Sequence, residues 1–410
     1  MRNLVALGLI AALATVTAGE TLAHGEKAQE AFLRMRGIHW FDTQIGPATV
    51  SVNDELIVRG KFMPSQAWPE HIPKPDVAFL NIGVPGPSFV RLESSVNGVN
   101  MVNSTSFALG GVYEYEVRLK ARRPGRYHVH PLINVYNAGP LVGPGIWVDV
   151  EGRFEDYHNT VTTIAGDEVE LETYNLGTIY SWHAFWMAAG VAWLVYWIFF
   201  RGRQLMPRYR QVRKLGDDAD DMITPRDRKL AVGVYVGTLL VVAYGFFSTE
   251  AEHPNTIPLQ TGRVNVEPLP VPDQTVEVKV ERASYEIPGR DLTINVEVTN
   301  NTDSALRLGE FATANVRFIN DEVLDLKPVD SHDLIAPSGL RITGGEIPAG
   351  ESRSITLHAS DAMWETQRLS RLIYDPDSRF AGVLFFFDED GNRRAAEIFG
   401  PMLPTFEASS

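Results

Sequence analysis

Two uncharged apolar runs, Ala184 to Phe200 and Leu230 to Phe247, constrain this chain more than any other feature. The first carries Trp186, Trp193 and Trp197. With Tyr180 to His183 added, it reaches the about 20 residues a helix needs to cross a bilayer. The second is rich in Val, Leu and Gly. Both read as membrane spans, at about 180–200 and 230–247, with aromatic flanks where a membrane interface would hold them. Neither core contains an acidic or basic side chain, which intramembrane metal sites and proton relays need. The spans therefore read as packing elements. Their connection carries Arg201, Arg203, Arg208, Arg210, Arg213 and Lys214, and positive charge stays on the cytoplasmic side. Both large flanking segments are then expected outside the cytoplasm.

The start of the chain agrees with that topology. Arg2, the short apolar stretch Leu4 to Val16 and the small residues ending at Ala23 read as an export signal, residues 1–23. A cut after Ala18 competes with the cut after Ala23. The net charge of -14 over 410 residues argues against a nucleic-acid partner, which calls for a basic face. The absence of cysteine excludes disulfides, zinc-thiolate sites, iron-sulfur clusters and blue copper. Any metal must be held by nitrogen or oxygen.

The exterior segments read as mainly β. Tyr113 to Lys120 alternates apolar and polar residues without error, the mark of a half-buried strand. Val50, Val52, Leu56 and Val58 suggest a hairpin through Asn53-Asp54. Val276, Val278 and Val280 alternate, as do Leu292 to Val298 and Ile355 with Leu357, and Asp388 to Asn392 reads as a hairpin turn after Val383 to Phe387. The expectation is two antiparallel β-sandwiches joined by two transmembrane helices. The first exterior domain covers 24–178, the helices and basic loop 179–250, a proline-rich linker 251–272 and the second exterior domain 273–410.

One strand carries chemistry. After the Pro124-Gly125 turn, Tyr127, Val129, Ile133 and Val135 share one face, and His128, His130, Leu132 and Asn134 share the other. The apolar face is expected in the core, which leaves two imidazoles side by side and able to reach one ion. Imidazole suits copper, zinc, iron and nickel. A bare His-x-His is a weak motif, and a pair of surface or hydrogen-bonded histidines fits it as well. His24 would be the first residue after a cut at Ala23. A free α-amine ordinarily titrates at about 8, so the amine and ring of His24 could then chelate a metal together. Two imidazoles plus this chelate make a nitrogen-only set that suits copper meeting dioxygen. Taken alone, His24 reads equally as the start of a mobile terminus.

A resemblance adds to this reading. His24-Gly-Glu-Lys27, Arg34-Met-Arg36, His39-Trp40, Lys120 to Gly125, His128-Val-His130, Gly143-Pro-Gly145, Thr256 to Gln260, Pro288-Gly-Arg290, Arg307 to Glu310 and Tyr374 to Arg379 resemble the B subunit of the particulate methane and ammonia monooxygenase family. The match runs in order from His24 to about Pro404. The resemblance implies two cupredoxin-like domains, with copper held in the first by His24, His128 and His130. It implies A and C membrane subunits as partners, in a trimer of three-subunit protomers of the bacterial inner or intracytoplasmic membrane. It implies oxidation of methane, ammonia or a short alkane with O2, with a quinol as the source of electrons. An alternative within it is a copper-binding subunit that stabilises the complex while oxidation occurs elsewhere. Some members hold further copper through a histidine matching His39 and a glutamine that is Glu397 here; packing beside Trp40 is the expectation for His39. His71, His158, His253, His332 and His358 are expected to be solvated or locally hydrogen-bonded.

Overall fold

In the segment before the two apolar helices, alternating apolar residues close two sheets over one core. The first sheet runs in the order β1 (Ile38–Gly46), β3 (Glu55–Pro64), β7 (Tyr113–Ala121), β5 (Phe89–Val96) and β6 (Val99–Asn100). The second runs β2 (Thr49–Ser51), β10 (Ile146–Glu151), β8 (Gly125–Val135) and β4 (Ala78–Gly83), with β9 (Gly139–Val142) also paired to β8. Val58, Val117, Leu119, Val129, Ile133 and Val148 are fully buried between them. This computed structural model describes residues 29–163, 165–200, 205–219, 222–254, 262–272, 275–287, 289–322 and 331–406. The export signal, His24, Arg201 and Arg203 lie outside the described residues.

The expected hairpin through Asn53-Asp54 is not one. β2 pairs in parallel with β10, while β3 pairs with β1 and β7 in the other sheet. The turn, closed by Asp54 N donating to Ser51 O at 2.9 Å, carries the chain between sheets. Val50, Val52, Leu56 and Val58 all enter the same core. A period of two reports which side is buried and does not report the partner strand.

The segment after the helices repeats the architecture. One sheet orders β18 (Leu340–Thr343), β19 (Ser352–Ser360), β14 (Asp291–Asn300), β13 (Val276–Ile287) and β22 (Leu403–Phe406). The other orders β17 (Leu334–Ala336), β16 (Val316–Ile319), β15 (Arg307–Thr313), β20 (Arg379–Phe387) and β21 (Arg393–Pro401). Asp388 to Asn392 closes the β20–β21 hairpin as expected, with Asn392 N donating to Asp388 Oδ1 at 2.8 Å.

The two sandwiches form one compact unit, Met1–Tyr157 with Thr261–Ser410. Val383, Phe385 and Phe387 pack against Phe41 and Met63 of the first sandwich, while Leu384 and Phe386 enter the second sandwich's own core. Helix α1 (Ala31–Arg36) precedes β1 in sequence, yet Ala31 and Met35 belong to the second sandwich's core. Arg36, 1% exposed, donates to both carboxylate oxygens of Asp375 at 2.9 and 2.8 Å and to Asp377 at 2.7 Å. Residues 262–272 run along the first sandwich, with Val264 N on Ser104 O at 3.0 Å and Leu269 N on Val112 O at 2.8 Å.

The other unit, His158–Gln260, holds a two-stranded sheet of β11 (Thr160–Thr162) and β12 (Glu168–Glu170) and the helices. Leu176–Phe200 and Pro225–Glu252 are both long and apolar enough to cross a membrane. Both are longer than the uncharged runs, because helical structure continues into polar turns. The second starts at Thr224, whose hydroxyl accepts from Asp227 N while Asp227 accepts from Thr224 N, a capping box with Pro225 at its first position. Tyr196 donates to Asp227 at 2.5 Å, joining the two helices.

Candidate metal centre

The site is built on β8. Val129, Ile133 and Val135 lock one face of the strand into the core, so His128 and His130 must share the other. Register then chooses their neighbours. His128 lies opposite Trp147 on β10, and His130 lies opposite Gly83 on β4. The Trp147 ring sits 5.2 Å from that of His128, and the Arg126 guanidinium lies 5.3 Å from the Trp147 ring. Trp147 itself is 46% exposed. On the other side the space is made by glycine. A Cβ at Gly83 would lie 2.6 Å from Nε2 of His130. A Cβ at Gly145 would lie 2.7 Å from Cβ of His130 and 3.1 Å from Cε1 of His128.

The two imidazoles are 5.4 Å apart between ring centroids and tilted by 43°. Metal–nitrogen bonds of about 2 Å put two rings on one ion with centroids no more than about 6 Å apart, so the pair fits a shared ion. His130 is buried, and its Nδ1 has no hydrogen-bond partner among the described residues. Burial, and then the neighbouring His128, push the His130 imidazole down to about 4. It is neutral at pH 7 and keeps a lone pair available to a metal. An unpartnered ring nitrogen of this kind is costly to bury and calls for a partner such as a water or a metal ion. Among the described residues no cluster of three or more His, Asp or Glu side chains gathers for a metal. The third expected ligand, His24, falls before Gln29, the first described residue.

His39 and Glu397, 358 positions apart in the chain, also meet. His39 Nε2 lies 3.4 Å from Glu397 Oε1, with both side chains buried. Ser65 Oγ and Gln66 N donate to the same carboxylate oxygen at 2.7 and 2.8 Å. Burial alone would raise the Glu397 carboxyl, but His39, Ser65 and Gln66 outweigh it and hold it below the usual range. The expected packing of His39 beside Trp40 is not what forms. Adjacent residues on β1 face opposite ways, and Trp40 turns into the first core against Phe62 and Tyr115. Of the other isolated histidines, His332 finds its partner in the first sandwich, 287 positions away, and not locally as expected. His332 Nδ1 accepts from Ile45 N at 3.0 Å, and His358 Nδ1 bonds Thr293 Oγ1 at 3.0 Å. Outside this unit, His158 lies 3.8 Å from Glu170.

Reading the strand in isolation does not find Gly83 or Trp147. Both act through register, which a single strand does not encode. Gly145 carries a signal as part of the Gly143-Pro-Gly145 match, although its contact with the histidines is not apparent from sequence.

The family model for monooxygenase B-subunit proteins matches residues 25–406. The chain belongs to that family. It is similar to the protein named particulate methane monooxygenase alpha subunit of Methylococcus capsulatus, with 45% identity over 405 residues, covering 98% of this chain and 97% of that one. Among solved structures it matches the cupredoxin domain of amoB from Nitrosocaldus yellowstonii at 20% identity, covering 30% of this chain and 91% of that one, with a TM-score of 0.24. As a B subunit the chain works as one part of a multi-subunit monooxygenase.

Proposed function

We propose that the outer face of β8 holds copper in a membrane-bound monooxygenase that oxidises methane, ammonia or a short alkane with O2. His128 and His130 supply imidazole nitrogens, and His24, freed as the mature N-terminus, adds its ring and α-amine. Copper, when bound, supplies the redox chemistry toward O2 that no side chain of this chain can provide. Burial keeps His130 unprotonated, so no proton competes for its lone pair. Gly83 gives its ring room, and Trp147 covers the His128 ring from the neighbouring strand. The membrane helices pack against the A and C subunits, in a trimer of such protomers, with both sandwiches on the periplasmic side and a quinol delivering electrons. Methane and its kin are proposed from the name of the Methylococcus capsulatus relative. His39 with Glu397 offers a second nitrogen–oxygen pair for copper, although Ser65 and Gln66 already occupy one carboxylate oxygen.

The observation that carries the reading is a neutral, buried His130 whose Nδ1 lacks a partner, at ring-contact distance from His128. Membranes stripped of copper should lose turnover and regain it with added Cu(II). Membranes carrying His128→Ala with His130→Ala should not regain it. Full recovery in the double variant would assign oxidation to copper elsewhere in the complex and leave this subunit a supporting role.

A further inference from the structure

A side chain of the second sandwich bonds the strand next to the histidine-bearing β8. Ala314 and Asn315 have φ of 49° and 67°, and they form the two-residue loop between Thr313 and Val316, which pair across the β15–β16 hairpin. Two consecutive left-handed residues in a two-residue hairpin loop make a type I′ turn, for which Asn is favoured. Asn315 does more than close the turn. It is 7% exposed, and its Nδ2 donates to the carbonyl of Val142 in the first sandwich at 2.9 Å, across 173 positions of chain.

Val142 is the last residue of β9, which pairs with the histidine-bearing β8 at Leu132. Its N–H is also taken by a side chain, donating to Gln29 Oε1 at 2.9 Å, and Gln29 Nε2 donates to Pro140 O. One residue thus joins three parts of the molecule: the segment leading back toward His24, the histidine sheet and the second sandwich. The chain then runs straight into the wall behind the imidazoles. Gly143 N donates to Pro131 O at 2.8 Å, and a Cβ at Gly143 would lie 2.8 Å from the Trp40 ring. Two residues on, Gly145 lies against both His130 and His128. This loop has little slack, so a shift at Val142 is passed to the histidines.

We propose that Asn315 is a positioning residue for the copper site. The second sandwich, with no paired imidazoles of its own, sets the Gly143–Gly145 loop that backs His128 and His130. This rests on the reading that these histidines bind copper.

The test uses the mature chain beginning at His24, in detergent, titrated with Cu(II) and followed by electron paramagnetic resonance. Asn315→Gly keeps the left-handed turn but removes the donor. Asn315→Asp also suits the turn and presents only acceptors when ionised. Outer-shell changes cost metal sites about 10–100-fold in affinity, and Asn315 acts one step further out, so both variants should weaken Cu(II) binding by about 3- to 10-fold and shift the hyperfine splitting. Thr313→Val is the control. It removes the buried 2.7 Å bond from Thr313 Oγ1 to Ala381 O on the same hairpin without touching Val142. It should lower thermal stability and leave the copper signal unchanged. Wild-type affinity and spectrum in both Asn315 variants, or an equal change in Thr313→Val, would overturn the proposal. Copper retained in His128→Ala with His130→Ala would instead overturn the reading beneath it.

Discussion

β8 in the first sandwich and β20 in the second are both central strands, and each buries one apolar face in its own core: Val129, Ile133 and Val135 in one, Leu384 and Phe386 in the other. They part on the second face. β8 turns two imidazoles outward into space cleared by Gly83 and Gly145. β20 turns Val383, Phe385 and Phe387 onto Phe41 and Met63 and uses the face for docking. One architecture therefore serves two ends. A sheet face is open to chemistry only where no partner needs it for packing, and the second sandwich surrenders its face to hold the first.

The largest expected effect comes from breaking the docking face. Phe385→Ala removes a fully buried ring from the interface cluster and should cost about 3–5 kcal/mol of stability, read by denaturant unfolding of the full chain. A loss under about 1 kcal/mol would show that the two sandwiches do not depend on this contact.

Gly83→Ala sharpens the other side of the comparison. The added Cβ falls within 2.6 Å of the His130 ring, so the ring must move. Overpacking of this kind costs about 1–3 kcal/mol, and Cu(II) affinity should fall more than stability does. Unchanged affinity with the fold intact would mean the ring's position is unimportant to the site.

The smallest effect is electrostatic. The Arg36 guanidinium beside Asp377 holds its carboxyl below the usual carboxylate range. A lowered carboxylate adds stability above its unfolded pKa and loses it as pH falls through the lowered value. Thermal stability followed from pH 7 toward pH 3 should show this acid limb in the wild type and a flatter one in Asp377→Asn. Identical limbs would place the acid sensitivity elsewhere in the joint between the sandwiches.

Much of this architecture is legible in the sequence. The alternation along β7, β8, β14 and β19 marks the buried faces, and charge around the apolar runs marks the helices. The Val383 to Phe387 run suggests a strand without showing that both its faces are buried. What pattern cannot convey is pairing. That is why Asn53-Asp54 reads as a hairpin when it is a crossing between sheets. It is also why His39 reads as packed beside Trp40 when it faces Glu397 from another domain. The two histidines of the site are apparent because they lie on one strand. Gly83 and Trp147 are not, because each meets the histidines from a neighbouring strand.

Nitrogen ligation from β8 is the central claim. Pulsed electron paramagnetic resonance on the copper-loaded mature chain, with its histidines labelled with nitrogen-15, tests this directly. Imidazole couplings should appear in the wild type and vanish, together with the bound copper, in His128→Ala with His130→Ala. An unaltered copper signal with the same nitrogen couplings in that variant would contradict it.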